Sequence, residues 1–351
     1  MSLSFGSTLF SFTNEWLAAT GPVEQLLQQV AARGLGPDLE VDGLTSFRGL
    51  PVPHDAEVES FRRACSTLGL QPTVFGVYVD RARRQDRWLD VEESVAELDA
   101  QLAAAHRLGF TMVRAALGLD LEVVERVLPT LESLGLVLTL EVQGTTTLDA
   151  PPLADLYSWL QSHDGAPVGL TFDTSVAMPD LPRSFRAHLR RLGMSAEVEQ
   201  LLDRSWRADG PAHLRFAQFR VDAAAAGAPG AVLEQAVAAF VRMGRSPLES
   251  WTPLFPWVRH VHAKFWDGEL SEEHVIRPHT RALAALRDAG YTGSVSSEWG
   301  GSEWYGLDEV DAFALVGDHL AALKSWGTTV PLVKPSARVG LTPSEWLELC
   351  R

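Results

Sequence analysis

One unit recurs along this 351-residue chain: an amphipathic segment, a glycine, then a short apolar run. The glycines stand at Gly34, Gly69, Gly109, Gly135 and Gly290, each a few residues ahead of strand-like sequence. Glycine suits the position just past a helix because the left-handed backbone costs it little there. The clearest helix is predicted over 90–109, where Asp90 and Glu93 form a capping pair and Val91, Val95, Leu98, Leu102 and Ala105 recur at helical spacing. Further helices are predicted over 23–33, 56–68, 120–134 (bent at Pro129), 280–289 and 308–326. The apolar runs predict strands over 9–13, 39–41, 73–79, 112–116, 137–142, 169–173, 258–264 and 294–298. About eight strands alternating with helices is the pattern of parallel βαβ units, and roughly 250 residues of it is the size of a closed (β/α)8 barrel. The expected fold is therefore an α/β TIM barrel, one domain over 1–327. The excess length falls after the sixth strand, where helix-like sequence over 185–202, 212–226 and 231–243 predicts a helical insertion of about 176–250. Residues 328–351 read as a C-terminal arm or extension.

Composition removes several functions. Acidic side chains outnumber basic ones by 45 to 30, a formal net charge of −15, which disfavours nucleic acid and anionic membrane surfaces as partners. Cys65 and Cys350 make neither a disulfide framework nor a thiolate metal site. The start lacks the basic segment of a secretory signal, and no apolar run approaches the roughly 18–20 residues that span a bilayer. A cytoplasmic globular protein is expected.

Side chains alternate between the two faces of a strand, which sorts the last four predicted strands into two sets. Leu138, Leu140 and Val142 oppose Thr139, Glu141 and Gln143, while Leu170 and Phe172 oppose Thr171, Asp173 and Ser175. Val261, Ala263 and Phe265 oppose His260, His262 and Lys264, while Val295 and Ser297 oppose Ser294, Ser296 and Glu298. The large apolar members belong against the outer helices. The polar set then points into the barrel, where unpaired charges cost several kcal/mol or more. Glu141, Asp173, His262 and Glu298 fall late in their strands, on the face where enzymes of this architecture hold their active sites. Three carboxylates and an imidazole converging there require a shared cation. Oxygen ligands with one nitrogen suit Mn2+ first, with Mg2+, Co2+ or Zn2+ also compatible. A single strand-end carboxylate has a plainer reading as a helix cap or loop anchor; four ligand-type residues at four successive strand ends do not. Lys264 shares the parity of His262 and reads as a substrate contact or a solvated rim charge. His260 lies deeper and reads as a satisfied core histidine or a further substrate contact. Gln143 points the same way as Glu141.

With His260-Val261-His262-Ala263-Lys264 ahead of Ser297-Glu298-Trp299, and Leu9-Phe10-Ser11-Phe12 and Leu39-Glu40-Val41 earlier, the chain resembles the xylose-isomerase-like superfamily of sugar phosphate isomerases and sugar epimerases. The resemblance spans roughly residues 3–175 and 250–327 and omits the insertion and the tail. It implies one divalent metal on Glu141, Asp173, His262 and Glu298, and a substrate-binding role for Lys264. It also implies proton transfer by Glu141 and Glu298 on opposite faces of a metal-chelated sugar, through an enediolate. The sequence departs from the superfamily's epimerases after Asp173, where Thr174-Ser175-Val176-Ala177-Met178 lacks the histidine that holds substrate. Gln143 offers a substitute polar contact.

The function expected first is a metal-dependent sugar isomerase or epimerase. The second is the larger subunit of a C-glycoside deglycosidase, a lyase that frees an aromatic aglycone from a 3-oxo-sugar by metal-assisted proton abstraction and elimination. Trp251, Trp257, Trp266, Trp299 and Trp304 fit an aromatic substrate, or else pack the insertion onto the barrel; Trp299, next to Glu298, is the candidate contact. A third expectation, of another class, is a barrel without catalysis serving as a binding or assembly subunit. The ligand expected of an enzyme here is a small sugar or glycoside. The expected assembly is a homo-oligomer or a hetero-complex with a small second subunit.

Overall fold

The computed structural model describes residues 3–19, 21–44, 46–49, 52–270 and 273–329, and its strands close into one parallel barrel in chain order. They are β1 (Ser4–Thr8), β2 (Asp38–Asp42), β3 (Gln71–Gly76), β4 (Met112–Ala116), β5 (Val137–Val142), β6 (Val168–Asp173), β7 (Val258–Phe265) and β8 (Ser294–Trp299). The ring closes where β8 pairs with β1, Ser4 to Ser294 through Ser7 to Ser297. The helices are α1 (Thr13–Ala18), α2 (Glu24–Ala32), α3 (Asp55–Leu68), α4 (Val91–Leu108), α5 (Leu121–Leu134), α6 (Pro151–Ser162), α7 (Arg183–Arg191), α8 (Ala196–Arg207), α9 (Ala212–Ala225), α10 (Gly230–Gln235), α11 (Val237–Val241), α12 (Glu273–Asp288) and α13 (Ala312–Thr329). Among the described residues no helix is long and apolar enough to cross a membrane.

Local chemistry sets the helix ends. Asp90 accepts the Glu93 amide at 2.9 Å while the Glu93 carboxylate accepts the Asp90 amide at 3.1 Å, the reciprocal box expected at the start of α4. Gly109 ends that helix with φ 95°, a conformation that a Cβ would strain. The outer strand faces, including Leu138, Leu140, Leu170, Phe172, Val261 and Val295, merge with the apolar helix faces into one core.

Three local expectations are corrected. The first strand is Ser4–Thr8 and not 9–13; Leu9–Phe12 is a 3-10 turn capped by the Thr8 hydroxyl, which accepts the Phe10 amide at 3.2 Å. The apolar Leu-Phe-Ser-Phe run is strand-like in composition alone. The true strand, Ser-Phe-Gly-Ser-Thr, is defined by pairing on both sides and hardly by its own propensity. Helix α6 is absent from the predicted set, yet it starts on Pro151-Pro152, where a first turn needs no amide donors. The helices predicted over 185–202 and 231–243 are each two helices. Ser195 caps α8 beyond a left-handed Gly193, and α11 restarts at Val237. The arm expected over 328–351 lies outside the described residues beyond Thr329.

Between β6 and β7 run α7 to α11 with a core of their own, including Phe185, Leu202, Trp206, Phe219 and Phe240. This helical layer is fastened to the barrel mouth by backbone. The Thr145 amide donates to the Val241 carbonyl at 3.2 Å, the Gly244 amide to Ser175 at 2.8 Å, and the Ser246 amide to Val176 at 2.9 Å. The contact is close enough to exclude side chains: a Cβ on Gly244 would sit 2.0 Å from the Gly144 carbonyl oxygen. Gly244→Ala is therefore expected to destabilise the fold by about 1–3 kcal/mol, the range for forced overpacking, read as a lower thermal midpoint in calorimetry. An unchanged midpoint would mean that this junction yields freely.

Candidate metal centre

Strand parity carries the polar set inward. Glu141, Asp173, His262 and Glu298, at the carboxyl ends of β5 to β8, are all buried and offer ligand atoms that lie within 4.8 Å of one another. His262 stands in the middle. Its Nδ1 is 2.8 Å from Glu141 Oε1 and 2.7 Å from Glu298 Oε2, the latter out of line for a hydrogen bond. Asp173 caps the turn after β6, with Oδ1 accepting the Ser175 amide at 2.8 Å, while Oδ2 is buried without a partner. The cap reading of Asp173 and the ligand reading therefore use different oxygens. Glu298 Oε2 is likewise unpartnered, and Oε1 accepts from Lys264 Nζ at 2.5 Å. Two orphaned carboxylate oxygens beside an imidazole nitrogen make a donor set that fits one divalent ion.

A second layer holds the first. Glu40, in the middle of β2, is fully buried and accepts from His262 Nε2 at 2.8 Å and His260 Nε2 at 3.0 Å. Arg114, on β4, donates to Glu40 at 2.9 Å and to Glu141 Oε2 at 2.8 Å, and lies 3.5 Å from Asp42, which also accepts from the Tyr78 hydroxyl. With Nε2–H spent on Glu40, Nδ1 is the nitrogen turned to the carboxylates, holding a proton there in the cation-free protein and free to bind a metal once that proton leaves. This is the carboxylate–histidine–metal order that fixes tautomer and ring direction in metal sites.

The electrostatics agree. Burial penalises the His262 cation, but Glu40, Glu298 and Glu141 overcome it and push the imidazole well above its ordinary value. Burial likewise opposes ionisation of Glu298, and Lys264 and His262 hold it well below the carboxylate range regardless. Asp173 goes the other way, pushed up to about 7 by burial first and then by Glu298 and Glu141, against Lys264. Without a cation the cluster thus borrows protons to stay intact.

The other expected site residues divide. Lys264 is inside, bonded to Glu298 and 4.7 Å above the Phe10 ring, and is no solvated rim charge. Gln143 reaches Glu141 Oε2 at 3.3 Å. His260 is sealed, with Nε2 on Glu40 and Nδ1 2.7 Å from Ser294 Oγ, so its position is that of the satisfied core histidine. Trp299 has the outward parity of β8 and is 1% exposed, stacked near Tyr305. Of the remaining tryptophans, Trp251 packs on Phe172, and Trp266 stacks with Trp304 in the core of the helical layer. Those tryptophans are buried in packing, and Trp266 also stands 5.8 Å from Lys264 Nζ. Glu40 and Arg114 are site residues that parity in the last four strands does not reach. The same alternation in Leu39-Glu40-Val41 and Val113-Arg114-Ala115 marks both as inward-facing, so extending it to β2 and β4 finds them.

Two outcomes are expected. Between 3.8, the ordinary Asp value, and about 7, folded Asp173 keeps a proton that the unfolded chain has released. The cation-free protein therefore loses stability as pH rises through that window, and Asp173→Asn removes this part of the slope. Melts in chelator from pH 4 to 7 check it; parallel wild-type and variant curves would refute it. Glu40→Gln keeps every ligand but loosens the His262 ring, so Mn2+ affinity measured by titration should fall about 10–100-fold.

No family model matches the chain. It is 32% identical over 330 residues to a C-glycoside deglycosidase alpha subunit of Arthrobacter globiformis, covering 91% of this chain and 89% of that protein. It is 30% identical over 320 residues to a 3'-dehydrocarminate deglycosidase alpha subunit of a Microbacterium species, covering 89% and 91% respectively. Among solved structures it resembles a D-psicose 3-epimerase determined with D-fructose, at TM-score 0.52 and 16% identity over 92% of this chain and 98% of that one. It also resembles a xylose isomerase-like TIM barrel protein of Mycobacterium smegmatis in complex with magnesium, at TM-score 0.50 and 16% identity over 93% and 98%. At such identities the solved structures speak for the fold alone. The chain has the fold of xylose isomerase-like TIM barrels, and it is an enzyme that belongs to the family of C-glycoside deglycosidase alpha subunits.

Proposed function

We propose that this chain is the metal-dependent catalytic subunit of a lyase that cleaves aryl 3-oxo-C-glycosides, working with a smaller second subunit. The observation that carries the reading is the similarity to deglycosidase alpha subunits over about nine-tenths of both chains. The four-ligand cluster at the barrel mouth supports it. A divalent ion held by Glu141, Asp173, His262 and Glu298, Mn2+ by preference, supplies Lewis acidity to the sugar oxygens around the reacting carbons.

The remaining work falls to side chains. Cleavage requires loss of the proton on C2, next to the 3-oxo group. The C–H electrons form the C1–C2 double bond, the C1–aryl bond breaks, and the aryl carbon takes up a proton. Lys264 keeps Glu298 ionised and oriented, which suits it to receive the C2 proton. Glu141, across His262 from Glu298, is the partner that returns a proton to the departing carbon. Gln143 and Lys264 are the polar groups that hold the sugar hydroxyls. Isomerisation or epimerisation would share the first proton transfer and differ in where the second proton goes, so the product decides between them.

The test is incubation of the metal-loaded chain, alone and with its second subunit, in D2O with 3-oxo-C-glucosides and with free sugars. Released aglycone is expected, and Glu298→Gln and Glu141→Gln should each lower kcat by about 10²–10⁴-fold. Deuterium in a recovered free sugar with no aglycone released would replace the lyase with an isomerase or epimerase. Full turnover by Glu298→Gln would remove its assigned role.

A further inference from the structure

We infer that Arg242, contributed by the helical layer, is the cation that holds an ionised hydroxyl of the aryl leaving group; this assignment rests on the lyase reading above. Arg242 follows α11 directly and is rooted on one side of the carboxylate–histidine cluster and paired on the other. Its backbone presses on Gly144, where a Cβ would sit 3.0 Å from the Arg242 Cα, and the neighbouring Val241 carbonyl accepts the Thr145 amide at 3.2 Å. That contact lies just past Glu141 and the end of β5. Its Nη1 donates to Glu303, in the short turn Gly301–Glu303 that follows Glu298 and the end of β8. β5 and β8 bound the run of four strands that carries Glu141, Asp173, His262 and Glu298, so a side chain joining their far ends lies over the cluster. The electrostatics agree with that position: burial pulls the Arg242 pKa down, and Glu298 is the charge that works against it.

The other two cations at the cluster are committed, Arg114 to Glu40 and Glu141 and Lys264 to Glu298. Arg242 uses Nη1 alone. Among the described residues its Nε and Nη2 make no hydrogen bond, and the side chain is 46% exposed. A guanidinium carries its donors in one plane, so the free edge can take an oxyanion while Glu303 keeps the other. With the sugar oxygens on the cluster, the aryl group has the barrel mouth left to it, and Arg242 stands at that mouth. The chemistry calls for a cation there. When Glu141 protonates the aryl carbon, an ionised hydroxyl ortho or para to that carbon becomes a ring carbonyl. As Glu298 takes the C2 proton, the C–H electrons form the C1–C2 double bond, and the C1–aryl pair flows back into the ring and restores the phenolate. Charge leaves that oxygen and returns to it within one turnover, and a fixed guanidinium favours the ionised form at both ends.

The experiment uses the full metal-loaded chain, alone and with its second subunit. The first probe is a monohydroxyflavone whose hydroxyl is remote from the ring carbonyl and cannot help chelate a metal; absorbance reads the ionisation of its phenol. Bound to the wild type, the phenol should ionise at a pH lower by about 1 than when bound to Arg242→Met. The second probe is a pair of 3-oxo-C-glucosides, one with a free hydroxyl ortho to the glycosyl bond and one with that hydroxyl methylated. Arg242→Met should lower kcat/KM about 10–100-fold on the first, as for a lost charge-assisted hydrogen bond, and far less on the second. Glu303→Gln breaks the ion pair and keeps the guanidinium. A loss as large as that of Arg242→Met would make Arg242 a structural tie and overturn the assignment. So would equal phenol midpoints in wild type and variant, equal losses on the two glucosides, or no flavone binding at millimolar concentration. Should Arg242→Met fail to fold, Arg242→Gln is read in its place. If the wild type cleaves neither glucoside, the lyase reading fails and the phenol midpoints alone judge Arg242; cleavage with equal midpoints keeps the lyase and removes the role of Arg242.

Discussion

His262 is the hinge on which the barrel interior balances. One ring nitrogen is committed to Glu40 and the other faces Glu141 and Glu298. Carboxylates buried this deeply are tolerable only where each has a cation or a hydrogen bond, because desolvating an unpaired charge outweighs most of what folding gains elsewhere. Arg114 and Lys264 balance part of that charge from opposite sides of the barrel. Protons on His262 and Asp173 supply the rest, and the oxygens of Asp173 and Glu298 left without a hydrogen bond mark where one divalent ion would take their place.

The same arrangement separates the duties of the strands. β5 to β8 present the four candidate ligands and Lys264, while β2 and β4 present Glu40 and Arg114, which touch that cluster from behind. This division gives the cluster its rigidity. The carboxylates of Glu141 and Glu298 cannot rotate without breaking bonds to Arg114 or Lys264. The helical layer between β6 and β7 adds a roof, tied through the chain just past Val142 and Asp173, so any strain there is felt within about four residues of Glu141 and Asp173.

Much of this is legible in the sequence. Alternation along β5 to β8 locates all four cluster residues and Lys264, because a closed barrel leaves only two environments and a charge fits just one of them. The box at Asp90 and the stop at Gly109 are equally plain, since both are local. The errors are of another kind. Residues 9–13 look like a strand by composition, whereas Ser4–Thr8 becomes one only through neighbours distant in sequence. The tryptophans look like a binding surface because composition counts rings and says nothing of what covers them.

By itself the sequence determined the βα repeat, the closed barrel and the identity of the inward-facing charges, since these follow from periods of two and of 3.6 residues. Only the tertiary structure decided that Glu40 and Arg114 stand behind the carboxylate–histidine cluster and that His260 is sealed. Those facts depend on which strand ends meet across the barrel and how the loops above them close, and pairings of residues far apart in the chain leave no periodic trace.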